Sequence, residues 1–242
     1  MNWSPRFLKR TLLATGVVAV VFTGVMGFAH TRAGRPLLAV IGPALGMGHA
    51  KSGGRCPFGF DVAATPEQKE AGRRQFAALH RGVTQAAAKP ALGFVLDQTT
   101  RGEVLAWAKA HGVRCTSPKS GADLDCSDVP GASFPAALQG PPVASLWLNF
   151  GARDKLTAVI AMRRDKSAQA IGSEFNALEA QVNKEEGATG TVVGDPSPAG
   201  LAAGLLRQAS VEYRFRDYYA IARATNMGEA FLLTEEYRSL PN

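Results

Sequence analysis

From Thr11 to Thr31 the chain carries no Asp, Glu, Lys or Arg, and its centre reads LLATGVVAVVFTGVMGFA. Such a run does not stay in water uncovered, and about 20 apolar residues suffice to cross the hydrocarbon of a bilayer. Arg6, Lys9 and Arg10 precede it, a bias that holds the N-terminus on the cytoplasmic side. We read residues 12–29 as a transmembrane anchor behind a cytoplasmic tail over 1–11. The alternative is a cleaved signal peptide, with Gly27-Phe28-Ala29 as its small-x-small site. Either reading exports the rest of the chain. A second apolar stretch, Pro36 to Met47, is too short to span and is broken by Gly42 and Pro43. With the Gly-rich sequence after it, it belongs to a membrane-proximal linker over 30–63.

The net charge of +7 invites a nucleic-acid reading. Five basic residues and no acidic ones lie before residue 36, so the remainder carries 22 basic against 20 acidic side chains. A face that tracks phosphates needs clustered Lys and Arg. The exported part has no such cluster, and nucleic acid is not an expected partner.

Residues 64–242 read as one α+β domain, with 64–164 and 165–242 as possible sub-units. Thr65-Pro66-Glu67-Gln68 is a capping box that starts a helix running to about Arg81. Thr100-Arg101-Gly102-Glu103 is a second helix start, and Val104, Trp107, Ala108 and His111 share one face of a helix ended by Gly112. The period then changes to two. Ser145–Phe150 and Lys155–Arg163 flank Gly151-Ala152-Arg153-Asp154 as a hairpin. Ile171, Phe175, Leu178 and Val182 mark a long amphipathic helix closed by Gly187. Ser197-Pro198 starts a shorter one predicted to run through Leu205 and Leu206. Val211, Tyr213, Phe215, Tyr219 and Ile221 mark an alternating strand, and Asn226-Met227-Gly228 turns the chain into Glu229–Tyr237. Helices packed on antiparallel hairpins make a two-layer α+β domain.

Of the three cysteines, Cys115 and Cys126 bracket a Ser-, Gly- and Asp-rich loop with strand-like ends. In an oxidising compartment they are expected to pair and staple a hairpin. Cys56 is left over: a small buried hydrophobe beside Phe58 and Phe60, or a thiol free for an intermolecular disulfide. A lipid-modified cysteine and a Cys-Pro haem contact fit its surroundings less well.

Known chemical signatures are missing. The four histidines (His30, His49, His80, His111) stand in no metal-ligand spacing. Asp123, Asp125 and Asp128 bracket Cys126 without the Gly and distal Glu of a calcium loop, and read as a solvated hairpin tip. Gly46-Met47-Gly48-His49-Ala50-Lys51-Ser52 resembles a phosphate loop, yet Ala50 stands where a Gly belongs and Leu45 where the first Gly does. No GxSxG or SxxK occurs. Glu185-Glu186 and Glu235-Glu236 are each expected to turn one member to water, and read by default as solvated charge. Trp107, Trp147, Tyr213, Tyr218, Tyr219 and Tyr237 read first as packing residues, with Trp147, Tyr218 and Tyr219 as a candidate binding groove. No cofactor, metal or catalytic residue is assigned.

One stretch carries a resemblance. Leu96-Asp97-Gln98-Thr99-Thr100 leads into Glu103-Val104 on a helix ending at Gly112. Leu148-Asn149-Phe150 then precedes the Asp154-Lys155-Leu156 turn and Val159. The T-x-x-x-V helix start and the F-x-x-x-x-K-L-x-x-V strand pattern resemble the helix-then-meander unit of the BamE/SmpA family and of β-lactamase-inhibitor-like envelope modules. The resemblance covers residues 93–163. A lipid-bearing Cys after the signal and the Gly-x-Pro after the helix are absent. The resemblance implies a non-enzymatic, protein-binding module of the bacterial envelope and transfers no binding residue. The expectation is therefore a single-pass inner-membrane protein with its bulk in the periplasm, working as a binding or scaffold protein. An envelope-acting hydrolase or transferase with an unrecognised site is the alternative.

Overall fold

The computed structural model describes residues 65–117 and 123–241. The predicted cytoplasmic tail, membrane anchor, linker and Cys56 lie outside the described residues. Among those described, no helix is long and apolar enough to cross a membrane.

Local chemistry starts each helix. In α1 (Pro66–His80) Thr65 accepts the N–H of Gln68, and the Gln68 side chain accepts the N–H of Thr65. Two of the four orphan N–H groups of a helix start are thereby satisfied. A short pair, β1 (Pro90–Ala91) and β2 (Phe94–Val95), follows. The same capping box, Thr100 with Glu103, opens α2 (Arg101–Ala110). Strands β3 (Arg114–Thr116), β4 (Asp123–Val129), β5 (Val143–Phe150) and β6 (Leu156–Asp165) come next. Ser167 caps α3 (Ala168–Glu186), and Gly187 ends it in the left-handed region at φ 62°. Then come β7 (Thr191–Val193), α4 (Pro198–Ala202), β8 (Gln208–Arg214), β9 (Tyr218–Asn226) and β10 (Phe231–Ser239).

Eight strands form one antiparallel sheet in the order β3-β4-β5-β6-β10-β9-β8-β7. One registered row, Cys126–Leu146–Ala161–Glu235–Ala222–Val211, is buried along its whole length. Helices α2 and α3 cover this face through Val104, Ile171, Phe175, Leu178 and Val182. The neighbouring row, Asp125–Trp147–Ile160–Glu236–Ile221–Glu212, belongs to the other face and is mostly half-buried. Over one end of that second face lies α1. Phe76 meets the Tyr219 ring edge-on at 5.1 Å, and Lys69 pairs with Asp123 at 2.6 Å.

The α+β class and the disulfide, Cys115 bonded to Cys126 across β3 and β4, agree with the sequence reading. Four details differ. Pairing of β6 with β10 merges the hairpins into one sheet, so stretches 64–164 and 165–242 share a core. Helices occupy both faces rather than one, because Tyr219 and Ile221 give α1 an apolar footing. The turn at Phe215–Asp217 separates β8 from β9, so Tyr219 and Ile221 face away from Val211 and Tyr213. Helix α4 stops at Ala202. Gly204 and the left-handed Leu206 (φ 59°) redirect the chain into β8, leaving Leu205 and Leu206 exposed.

Candidate functional site

The polar groups of this fold converge where the segment after α1 crosses the end of the sheet. Gly82 enters it so closely that a Cβ there would lie 2.0 Å from the Arg214 carbonyl oxygen. Only glycine fits that approach. Beyond it, four successive backbone N–H groups meet carboxylates. Ala86 donates to Asp217 Oδ1 at 3.0 Å, and Glu186, at the end of α3, accepts from Ala87, Ala88 and Lys89 at 2.6, 3.3 and 2.8 Å. The buried Tyr218 hydroxyl donates to the Pro90 carbonyl at 2.6 Å. Successive N–H groups of this kind form a concavity that favours an anion, and here the chain fills it with its own.

The side chains complete the site. Lys89 Nζ lies 2.9 Å from both Asp97 Oδ2 and Asp217 Oδ2. The Ser239 hydroxyl donates to Asp97 Oδ2 at 2.6 Å. Burial works against the Lys89 charge, but the hydrogen bonds and charges of Asp97 and Asp217 outweigh it and hold its pKa above the ordinary value. Burial likewise opposes the Asp217 carboxylate, and the Ala86 N–H with Lys89 overcomes it, so its pKa is lowered. Lys89, Leu92 and Asp97 all adopt positive φ, at 56°, 54° and 63°. Aspartate tolerates this region, whereas lysine and leucine do so at a cost, and such strain concentrates at functional sites.

These four side chains floor a cleft of about 630 Å³. Its walls include Arg73 of α1, Gln85 and Arg216. Arg73 donates to Glu70 Oε2 at 3.0 Å and to the Ser239 carbonyl at 3.3 Å. The exposed Arg216 guanidinium donates to Gln85 Oε1 at 3.2 Å and forms no ion pair with the carboxylates of the described residues.

A second polar cluster is sealed in the core. Arg163 is fully buried and donates through Nε to Glu235 Oε1 at 2.8 Å, and to the carbonyls of Pro141 (2.6 Å) and Leu138 (3.4 Å). Glu174 of α3 brings a second carboxylate to the same guanidinium. Its Oε1 lies 3.0 Å from Arg163 but off the line of any N–H, so it makes no hydrogen bond. Burial, opposed by Arg163 and reinforced by Glu235, pushes the Glu174 pKa up to about 7. Burial also raises that of Glu235.

The residues singled out from sequence separate in space. Tyr218 is fully buried on the face covered by α2 and α3. Tyr219, its neighbour in the strand, points the other way beneath Phe76 and His80. Trp147 is half-buried on that second face, in the row that runs through Ile160 and Ile221. Successive strand side chains point to opposite faces, so these three do not line one groove. Glu186 and Glu235 are buried rather than solvated, Glu186 on backbone N–H groups and Glu235 on Arg163. His111 is exposed at the end of α2. Asp123 pairs with Lys69, and no group of three or more metal-ligating side chains occurs among the described residues. Lys89, Asp97, Asp217 and Ser239 escaped the sequence reading because they stand on four separated segments with no shared spacing. The one local signal was Asp97, inside the stretch that carries the family resemblance. Comparison with protein-family models, with curated proteins and with solved structures finds no match for this chain.

Proposed function

We propose that this chain is a single-pass inner-membrane protein of the bacterial envelope whose periplasmic α+β domain binds another envelope protein. The observation that carries the binding reading is the floor of the cleft. Lys89 is held charged between Asp97 and Asp217, and the Ser239 hydroxyl is given to Asp97. A general base needs a pKa near the working pH, and these groups are arranged to hold charge rather than to pass protons. Export is supported by the charge-free run Thr11–Thr31 behind three basic residues, and by a disulfide of the kind oxidising compartments sustain. The succession of α2 and the meander β3–β6 is consistent with the resemblance to BamE/SmpA-like modules.

The test is affinity capture with the full-length chain from solubilised membranes. The reading predicts one envelope protein retained well above a control bait, and retention of none contradicts it. The contact of Ser239 with Asp97 is the one feature that favours the hydrolase alternative. Ser239→Ala separates the two: a binding site that uses the hydroxyl only to orient Asp97 keeps most of its capture, whereas a hydrolase built on Ser239 loses all turnover.

A further inference from the structure

The cleft has a hydrogen-bonded floor, on which Asp97 stays partly exposed, and an open rim. On the floor, Lys89 serves two carboxylates, Asp217 is engaged at both oxygens, and Ser239 has donated its hydroxyl. At the rim the unspent capacity consists of donors. A guanidinium carries five N–H bonds in a planar fork and cannot lose its charge. Among the described residues Arg216 has one side-chain partner, the neutral Gln85 oxygen. That contact leaves the Gln85 amide NH₂ as a donor beside it. Arg73 spends two donors, on Glu70 and on the Ser239 carbonyl. Arg81, outside the lining, donates to the carbonyl of Pro241, which belongs to it. Two guanidiniums, Arg73 and Arg216, thus line the cleft, with Lys89 the third cation against the carboxylates of Asp97 and Asp217. Floor and rim together sum to one excess positive charge. What such a rim lacks is an acceptor with negative charge and planar or trigonal geometry, which a guanidinium fork grips with two parallel hydrogen bonds.

We propose that this cleft receives a carboxylate from an acidic peptide segment of the partner protein, held by Arg216 and Arg73 beside the Gln85 amide. The proposal rests on the reading that the domain binds a protein, and gives that binding its chemistry. The pre-built floor matters to it. With residues 86–89 tied to Asp217 and Glu186, the rim groups meet a ligand on a support that is already ordered, which reduces the entropic cost of binding.

The test uses the detergent-solubilised full-length chain and fluorescein-labelled triglutamate, followed by fluorescence anisotropy, with inorganic phosphate as competitor. Triglutamate is expected to bind saturably, to weaken as salt rises, and to lose affinity about tenfold or more in Arg216→Ala. Arg216→Lys, which keeps the charge and removes the fork, should fall between the two. Arg216 is exposed, so these variants are expected to fold, which circular dichroism checks. Equal binding by wild type and Arg216→Ala overturns the proposal, as does the absence of binding. Phosphate binding through Arg216 without triglutamate binding overturns the peptide source. Capture of the same envelope protein by wild type and Arg216→Glu in equal amount leaves the binding function standing and removes the cleft from it. Triglutamate binding through Arg216 with no protein ever captured does the reverse.

Discussion

Arg163 faces Glu235 and Glu174 with one positive charge between two carboxylates, and all three side chains are buried. Burying both acids ionised against one guanidinium is costly, so one of them keeps its proton more readily than it would in water. Glu174, lacking a hydrogen bond to its Oε1, is that group, with a folded pKa of about 7 against an ordinary 4.5. Because the folded value is the higher, the native state binds the extra proton. The stability linked to it is fully present below pH 4.5 and is lost as pH rises to about 7. Tyr237 donates to Glu235, and Arg163 holds two carbonyls of the loop before β5, so the whole cluster feels this titration. Urea unfolding between pH 5 and 8 should show wild type losing about 1–3 kcal/mol relative to Glu174→Gln across that interval. Parallel curves for the two proteins would mean that Glu174 is not the titrating group.

At the scale of elements, most starts and stops were legible because they are local. Thr65 with Gln68, Thr100 with Glu103, and Gly187 at positive φ carry their geometry in neighbouring residues. The hairpin of β5 and β6 followed from period-two alternation about Gly151–Asp154. What sequence did not reveal depended on contacts between distant segments. The burial of Glu186 and Glu235, the face taken by Tyr219, and the Lys89–Asp217 pair all depend on how elements dock. Helix α4 ended early where the competing demand to enter β8 won over apolar spacing at Leu205 and Leu206. The disulfide belongs to this scale too. It joins edge strand β3 to β4, and removing it as Cys115→Ser/Cys126→Ser should cost about 2–3 kcal/mol in denaturant unfolding. A loss below a few tenths of a kcal/mol would mean that strand pairing alone holds this edge.

Across the whole described molecule, the two halves follow one plan. Helix α2 leads into β3–β6, laid from sheet edge to centre, and α3 leads into β7–β10, again from edge to centre. The halves meet antiparallel where β6 pairs with β10 over eight registered residues. The buried Arg163 and Glu235 lie on those two strands, so the seam carries charge as well as backbone pairing. A fragment of residues 65–165 would expose β6 as a bare edge and leave Arg163 without Glu235. It is expected to show no cooperative unfolding transition by circular dichroism, and a sharp one would show that the halves are independent domains. The plan also explains where the cleft lies. The β8–β9 turn with Asp217 and the end of β10 with Ser239 come together at one end of the sheet, and the segment after α1 closes over them.

The proposed function depends most on the domain residing outside the cytoplasm. Intact spheroplasts are treated with a membrane-impermeant maleimide mass tag, with and without prior reduction, and the chain is resolved by size. Cys115 and Cys126 are expected to take up the tag only after reduction, because the proposed function places them outside the membrane and they are bonded to each other. Tagging of Cys115 and Cys126 only after lysis, with no reductant required, would contradict it.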